Sequence, residues 1–543
     1  MAEQFFMGVD VGTGSARAGV FDGAGTLLGA SKQAIAIWHE AGDIAEQSSE
    51  DIWRAVCEAA KGAMAIAGIA PAAVAGIGFD ATCSLVVVDR QGRPLPVGAS
   101  GDAERNIIVW MDHRALDQTR RINETHADVL RYVGGVISPE METPKLLWLK
   151  ENKPAVFAAA GWFFDLPDYL SWRATGSLDR SACTVTCKWT YLAHEKRWDA
   201  GYFHRIGLGE LADEGFARIG DRIVDVATPL GAGLTAQAAA DLGLVPGIAV
   251  GASLIDAHAG GVGTVGAAGP DDAAAAVTSR LAYVFGTSAC TMATTKEPAF
   301  VPGVWGPYYS AMVPGLWLNE GGQSAAGAAL DHLLTLHPAH AEAAKAAREA
   351  GQPLLAWLEG RAVAHAGSAG EAVRRAANVH VVPEFLGNRA PYADPDARAV
   401  IAGLGLDADL QSLVTLYVAG LCGLAYGARQ IVEAMAAKGI ALEQIIISGG
   451  AAQSPLVRQI IADATGLEVA VADTPEPVLL GAAMLGAVAG GAFAGLGEAM
   501  GGMSRLGEVR APAGGAAGAL HDARFKVYQL LQAAGREARR IMA

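Results

Sequence analysis

The sequence predicts an α/β protein made of two similar domains that face each other across a cleft. Two observations carry that expectation. A strand, a glycine turn and a second strand occur at the start (residues 5–11, Gly12-Thr13-Gly14-Ser15, 17–21). The same unit returns half-way along (281–285, Gly286-Thr287-Ser288, 289–294), and such a repeat points to a duplicated domain. The chain has 543 residues, 52% hydrophobic and only 18% charged, which fills more than one core and is too apolar for disorder.

The remaining elements follow in order. Asp22-Gly23 closes the first hairpin. Residues 75–79 and 85–88 read as strands joined by the segment FDATCS. Helical periodicity marks 143–151, 165–174 and 325–336, and 413–437 is a long amphipathic helix. Residues 337–379 are alanine-rich with scattered charge and read as a helical insertion. The apolar run 445–448 is a buried strand that enters Gly449-Gly450 and then a helix reaching Ala464. Residues 511–517 form a Pro/Gly/Ala-rich connector, and 525–542 a terminal helix whose basic end suits the helix dipole. The expected domains are therefore 1–262, then 263–510 with the insertion, then a connector and helix at 511–543.

Composition removes several function classes. A net charge of −15 argues against a nucleic-acid partner, which needs a basic face. It does not prevent phosphate binding, because backbone N–H groups supply local positive potential. Six cysteines in so long a chain are no disulfide framework, and Cys183 and Cys187 lack the second ligand pair of a structural zinc site. The start MAEQFFMGVD has no basic region of the kind that opens a signal peptide. Residues 478–497 are uncharged and long enough for a membrane span, but six glycines and many alanines read as a tightly packed soluble helix. The expected setting is the cytoplasm, with no membrane partner. Gly261-Val262-Gly263-Thr264-Val265-Gly266 matches G-x-G-x-x-G, yet Asp256 interrupts its approach and no acid ends the following strand. A dinucleotide fingerprint needs that context. No G-x-x-x-x-G-K-[ST] loop occurs.

Four segments carry chemistry. In Asp10-Val11-Gly12-Thr13-Gly14-Ser15-Ala16-Arg17 a carboxylate ends a strand beside a turn whose glycines let backbone N–H groups approach phosphate oxygens. Thr13 and Ser15 add hydroxyls and Arg17 a charge. An acid beside a phosphate cradle makes sense with Mg²⁺ between them, although an ordinary hairpin can carry the same short string. Gly286-Thr287-Ser288 repeats the pattern, so two turns could grip a triphosphate from both sides. Ser448-Gly449-Gly450-Ala451-Ala452-Gln453-Ser454 offers either a surface for a base and ribose or plain strand-to-helix packing. In Ser253-Leu254-Ile255-Asp256-Ala257-His258-Ala259-Gly260, Asp256 precedes the second unit and could take a proton from a substrate hydroxyl. His258 reads as a packed or hydrogen-bonded histidine rather than a ligand.

These segments, in this order, resemble the FGGY family of carbohydrate kinases. DVGTGSAR, FDATCSLVVVD, IIVWMDHRA, PKLLWLKEN, LIDAHAGGVG, FGTSACT, NEGGQSAAG, FLGNRAPYADPDARAVIAGL, SGGAAQSP and PEPVLLGAAMLGA run from Asp10 to about Val488. The string TCSLV in 82–86 is similar to the D-ribulokinase branch. Two places depart from the family pattern: Glu142 stands where a Ser, Thr or Pro is usual before Lys145, and the helix after 399–404 matches only in part.

The resemblance implies two actin-like, hexokinase-like (ribonuclease H-like) ATPase domains with an interdomain cleft. It implies ATP and Mg²⁺ as cofactors and a small sugar as partner, with a homodimer as an open expectation. It further implies Asp256 as catalytic base, and Asp10 as holder of Mg²⁺ through water. Thr13, Gly14, Ser15 and Arg17 would meet the phosphates from one side and Thr287 from the other. Gly327, Asp331, Gly450 and Ser454 would line the adenosine pocket. Ala81, Thr82, Asp112, Lys188, Asp256 and Glu320 would surround the sugar. The expected reaction is phosphorylation of the primary hydroxyl of a ketopentose, D-ribulose first, with L-ribulose, ribitol and xylulose as alternatives. The alternative from another class is a non-enzymatic actin-like or chaperone-like ATPase, since fold does not fix function.

Overall fold

The computed structural model describes residues 4–40, 42–269, 277–376 and 378–542. Its first sheet has the order Ala249–Ile255, Val74–Ala81, Phe5–Val11, Ser15–Asp22, Leu27–Ala34. Phe5–Val11, Ser15–Asp22 and Leu27–Ala34 form an antiparallel meander, and Val74–Ala81 and Ala249–Ile255 add in parallel beside the first strand. The second sheet repeats this plan. Arg280–Phe285, Ala289–Thr295 and Trp317–Gln323 form the meander, and Gln444–Ser448 and Glu468–Ala472 add in parallel. Two edge strands, Trp305–Tyr309 and Leu506–Arg510, complete it. The repeated glycine-turn units are thus the first hairpins of two sheets with one topology.

Local chemistry explains the helices that brace the sheets. Ser49–Ala67 starts where the Ser48 hydroxyl accepts from the Asp51 N–H, carries Glu50 and Asp51 in its first turn, and ends on left-handed Gly68. Its apolar face, with Ile52, Val56 and Ala59, is fully buried against the first sheet. Leu410–Ala436 is capped by Asp409 and is the buried spine of the second half. It is also the one helix among the described residues that is long and apolar enough to cross a membrane, and 78% of its most apolar window is buried inside the protein. The alanine-rich stretch carries the helices His340–Glu349 and Leu354–Ala366.

The halves exchange helices at their seam. Asp256–Val265 follows the first sheet but packs against Arg280–Phe285 of the second. Pro477–Ala489 follows the second sheet but packs against Phe5–Val11, Val74–Ala81 and Ala249–Ile255 of the first, and against Asp256–Val265. The backbones come so close that side chains are excluded. A Cβ on Gly78 would stand 2.0 Å from the Ala482 carbonyl oxygen, and one on Gly481 1.9 Å from that of Ala259. That proximity accounts for the glycine and alanine content of 478–497.

Two expectations change, and one expected boundary falls within a helix. Residues 478–497 are not one helix: Pro477–Ala489 ends, and Leu496–Met503 begins after a turn with Gly491 at positive φ. The expected domain boundary at 262/263 falls within the helix Asp256–Val265. The terminal helix is longer than 525–542, spanning Gly515–Met542, because the alanines after Gly515 join it.

Candidate active site

Parallel strands end together at the seam, and the register decides which side chains meet there. Asp10 pairs with Asp80 across Phe5–Val11 and Val74–Ala81, and Leu254 pairs with Asp80 from the other side. Asp256 follows at the first turn of its helix. Three carboxyl groups are therefore delivered to one end of the first sheet, as open α/β sheets commonly do with ligand sites. They are not equivalent. Asp80 is fully buried, and burial, the charge of Asp10 and its contact with the Asp10 side chain hold it well above the usual carboxylate range. Burial and Asp10 also push Asp256 up, to about 6, against a hydrogen bond from the Ala257 N–H at 2.8 Å and the positive charge of His258 and Lys188.

A cavity of about 460 Å³ opens on this end. The two glycine turns form part of its wall. The first closes with Gly12 N–H donating to the Ser15 carbonyl at 3.0 Å, the second with Gly286 N–H donating to the Ser288 carbonyl at 2.9 Å. Thr13, Gly14, Ser15, Arg17 and Thr287 all border the cavity. Arg17 is held by Asp10, with its Nε 2.7 Å from Oδ2, and by Glu476 from the second half, with Nη1 2.7 Å from Oε2. It also borders a second cavity of about 640 Å³, lined by Gly449, Gly450, Asp473 and Thr474. Arg17 thus stands where the two cavities meet.

The other end of the first cavity is polar and aromatic. Thr82, Lys188, Asp256 and Glu320 border it. Lys188 is 3% exposed, and its ammonium lies 4.8 Å from the Trp305 ring centroid. Arg389 reaches in from the second half, pairing with Glu140 of the first at 3.6 Å and lying 5.5 Å from the same Trp305 ring. The Trp110 indole N–H donates to Thr13 Oγ1 at 3.0 Å and so ties the first turn to the segment that carries Asp112.

Several expected residues lie elsewhere. Asp112 borders neither cavity: it is fully buried, accepts from Arg114 Nε and Nη2, from the Arg114 backbone, and from the Ala45 N–H at 2.8 Å. The structure shows it as an internal anchor, where a sugar contact was expected. Ala81 points into the core. Gly327 and Asp331 border neither cavity. Gly327 instead donates its N–H to the Gly286 carbonyl at 3.0 Å and secures the second turn, while Asp331 is exposed on the helix Gly327–Thr335. Gly450 borders the second cavity, but the Ser454 hydroxyl caps the helix Pro455–Thr465 and donates to Glu359 of the insertion at 2.8 Å.

Sequence reasoning passed over Asp80, Trp110, Glu140, Trp305 and Arg389. Only Asp80 carried a readable signal, an acid at the end of a strand parallel to the one bearing Asp10. The others are brought in by long-range packing.

The donor set suits a hard divalent cation. Asp10, which borders the cavity, is an oxygen donor, and among the described residues no three of His, Cys, Asp and Glu form a ready cage. Mg²⁺ fits such a place, since it keeps several waters and uses one or two carboxylates with substrate phosphates.

Comparisons with known proteins agree with this geometry. The N-terminal domain model of the FGGY family of carbohydrate kinases matches residues 5–263, and its C-terminal domain model matches 281–490. The human FGGY carbohydrate kinase domain-containing protein is 49% identical, over 94% of this chain and 93% of its own. The D-ribulokinase of Saccharomyces cerevisiae is 38% identical, over 90% of this chain and 72% of its own. Xylulose kinase from Rhodospirillum rubrum shares the fold with a TM-score of 0.80 at 23% identity, covering 98% of this chain and 99% of that one.

Proposed function

Because the chain belongs to the FGGY family of carbohydrate kinases, we propose that it transfers the terminal phosphoryl group of ATP to the primary hydroxyl of a ketopentose, D-ribulose. The observation that carries this reading is Asp256. It lies at the seam between the two turns, bordering a cavity shared with Lys188 and Glu320, with its carboxyl lifted to about 6 by burial and Asp10. A base of that strength is useful near neutral pH. The preference for D-ribulose rests on the likeness to the yeast D-ribulokinase and on the TCSLV segment.

In this reading Asp256 accepts the hydroxyl proton as the new oxygen–phosphorus bond forms and the bond to ADP breaks. Arg17 and the backbone N–H groups of the two turns bind and orient the phosphates, and Asp10 would hold Mg²⁺. When bound, Mg²⁺ neutralises phosphate charge, and most of the rate in such transfers comes from positioning and charge stabilisation. Gly450 and the second cavity would take the adenosine. Lys188, Glu320 and Thr82 would read the sugar hydroxyls, where a wrong epimer leaves buried polar groups unpaired and is strongly rejected.

The test is ADP release with Mg-ATP across D-ribulose, L-ribulose, D-xylulose, ribitol and glycerol. D-Ribulose is expected to give the highest kcat/KM. Stimulation by another of these sugars alone would move the substrate assignment. ATP turnover indifferent to all of them would favour an ATPase that is not a sugar kinase.

A further inference from the structure

We infer that His258 is a positioning residue for sugar recognition, holding one oxygen of Glu320 so that the carboxylate presents the other to the cavity, with Cys183 clipping the far side of the imidazole ring. The inference rests on the sugar-kinase reading of the site and deepens it.

Three buried groups from three elements meet in a row. Cys183 lies on the helix Ala182–Trp189, His258 on the seam helix, and Glu320 on the strand Trp317–Gln323. His258 Nδ1 is 3.1 Å from Cys183 Sγ, and Nε2 is 3.2 Å from Glu320 Oε2. A carboxylate only accepts, so Nε2 carries the proton that makes that bond. His258 is two residues beyond Asp256, about 200° around the helix. With Asp256 facing the cavity, His258 reaches Glu320 from behind. Glu320 itself borders the cavity, so one carboxylate oxygen is held and the group remains available to substrate. The helix that provides Cys183 also provides Lys188 to the same cavity. The row thus ties Glu320 of the second half, and the helix that bears Lys188 in the first, to the seam between them.

The electrostatics agree with this geometry. Burial opposes charge on His258, but Cys183 and Glu320 outweigh it and hold the imidazole up at about 10. Burial would raise Glu320; the hydrogen bond from His258 and the charge of Lys188 pull it down to about 2. A buried charged row of this kind is costly unless fully paired. The Cys–His–carboxylate order also resembles an activated thiol, but Cys183 is 0% exposed and borders neither cavity. Its sulfur also accepts from the Ile255 N–H at 3.4 Å, and its enclosure away from both cavities leaves it a clip for the ring and not a nucleophile.

The experiment is a double-mutant cycle in steady-state kinetics with D-ribulose and ATP: wild type, His258→Ala, His258→Gln, Glu320→Gln and the His258→Ala/Glu320→Gln pair. Loss of a charge-assisted bond should raise the sugar KM about 10- to 100-fold, with the ATP KM within about twofold. His258→Gln, which keeps an N–H donor, should recover part of the loss. The pair should be no worse than Glu320→Gln alone, because both changes remove one interaction. An unchanged sugar KM in His258→Ala, or effects that multiply in the pair, would overturn the inference. Should His258→Ala not fold, Cys183→Ala and His258→Gln complete the same cycle with Glu320→Gln, read by the same criteria. A wild type without sugar-dependent turnover refutes the kinase reading itself, which is a different failure.

Discussion

Asp256 stands at the first turn of the seam helix, where burial and the charge of Asp10 lift its carboxyl to about 6. A general base acts as the carboxylate, and the carboxylate fraction falls as pH falls through that value. The kcat/KM for sugar should therefore be level above about pH 7 and decline towards pH 5; a profile flat down to pH 5 would contradict the assignment. Asp112 makes the opposite point. Motif resemblance places it at the sugar, but its oxygens are taken by Arg114 and the Ala45 N–H, and Arg114 also pairs with fully buried Glu46 at 2.8 Å. Breaking a buried pair costs about 3–5 kcal/mol. Asp112→Ala should lower the melting midpoint sharply while the folded enzyme keeps its sugar KM within about twofold. A large KM rise without loss of stability would restore Asp112 to the sugar site. A motif can thus mark a residue without telling whether its side chain meets substrate or neighbour, because only the packing around Arg114 decides that.

Glycine turns and apolar strands were legible at the level of elements, since local sterics fix the turns and short continuous apolar runs mark strands buried on both faces. Phe5–Val11, Arg280–Phe285 and Gln444–Ser448 lie where the pattern places them. The end of Pro477–Ala489 was not legible, because a Gly/Ala run reads as one helix until Gly491 turns at positive φ. Close backbone approach is the reason for that run. Gly481→Ala would put a methyl against the Ala259 carbonyl oxygen, and overpacking of this kind costs about 1–3 kcal/mol or more. Chemical denaturation should show that loss; an unchanged midpoint would mean that the helices separate more easily than their spacing implies. The terminal helix Gly515–Met542 carries a second test. His521 is fully buried, meets the Tyr426 hydroxyl at 3.1 Å, and is held down at about 4 by burial and by Arg524 and Arg429. The unfolded chain binds this proton at higher pH than the folded one, so its contribution to stability is lost as pH falls from about 6.5 towards 4. His521→Gln should flatten that part of the stability profile, and an unaltered slope would exclude His521 as its source.

Duplication was visible across the whole molecule in two glycine turns, and it emerges as two sheets with the same meander and the same parallel additions. The exchange of seam helices was not visible, because nothing local tells Pro477–Ala489 to pack on the sheet of the other half. That exchange makes the cleft a joint product. Arg17 bonds Glu476, Glu140 pairs with Arg389, and the Gly134 N–H donates to the Gly306 carbonyl at 3.1 Å, each across the halves. The site's acids, turns and cations therefore depend on the two halves being held together. The central claim is that this seam carries a catalytic base for sugar phosphorylation. It is tested most directly by sugar-dependent ADP release from Asp256→Asn beside wild type, with ATP binding measured on both. The account predicts a fall in kcat of about 10²- to 10⁴-fold with ATP binding retained. A variant that phosphorylates sugar at the wild-type rate would contradict it.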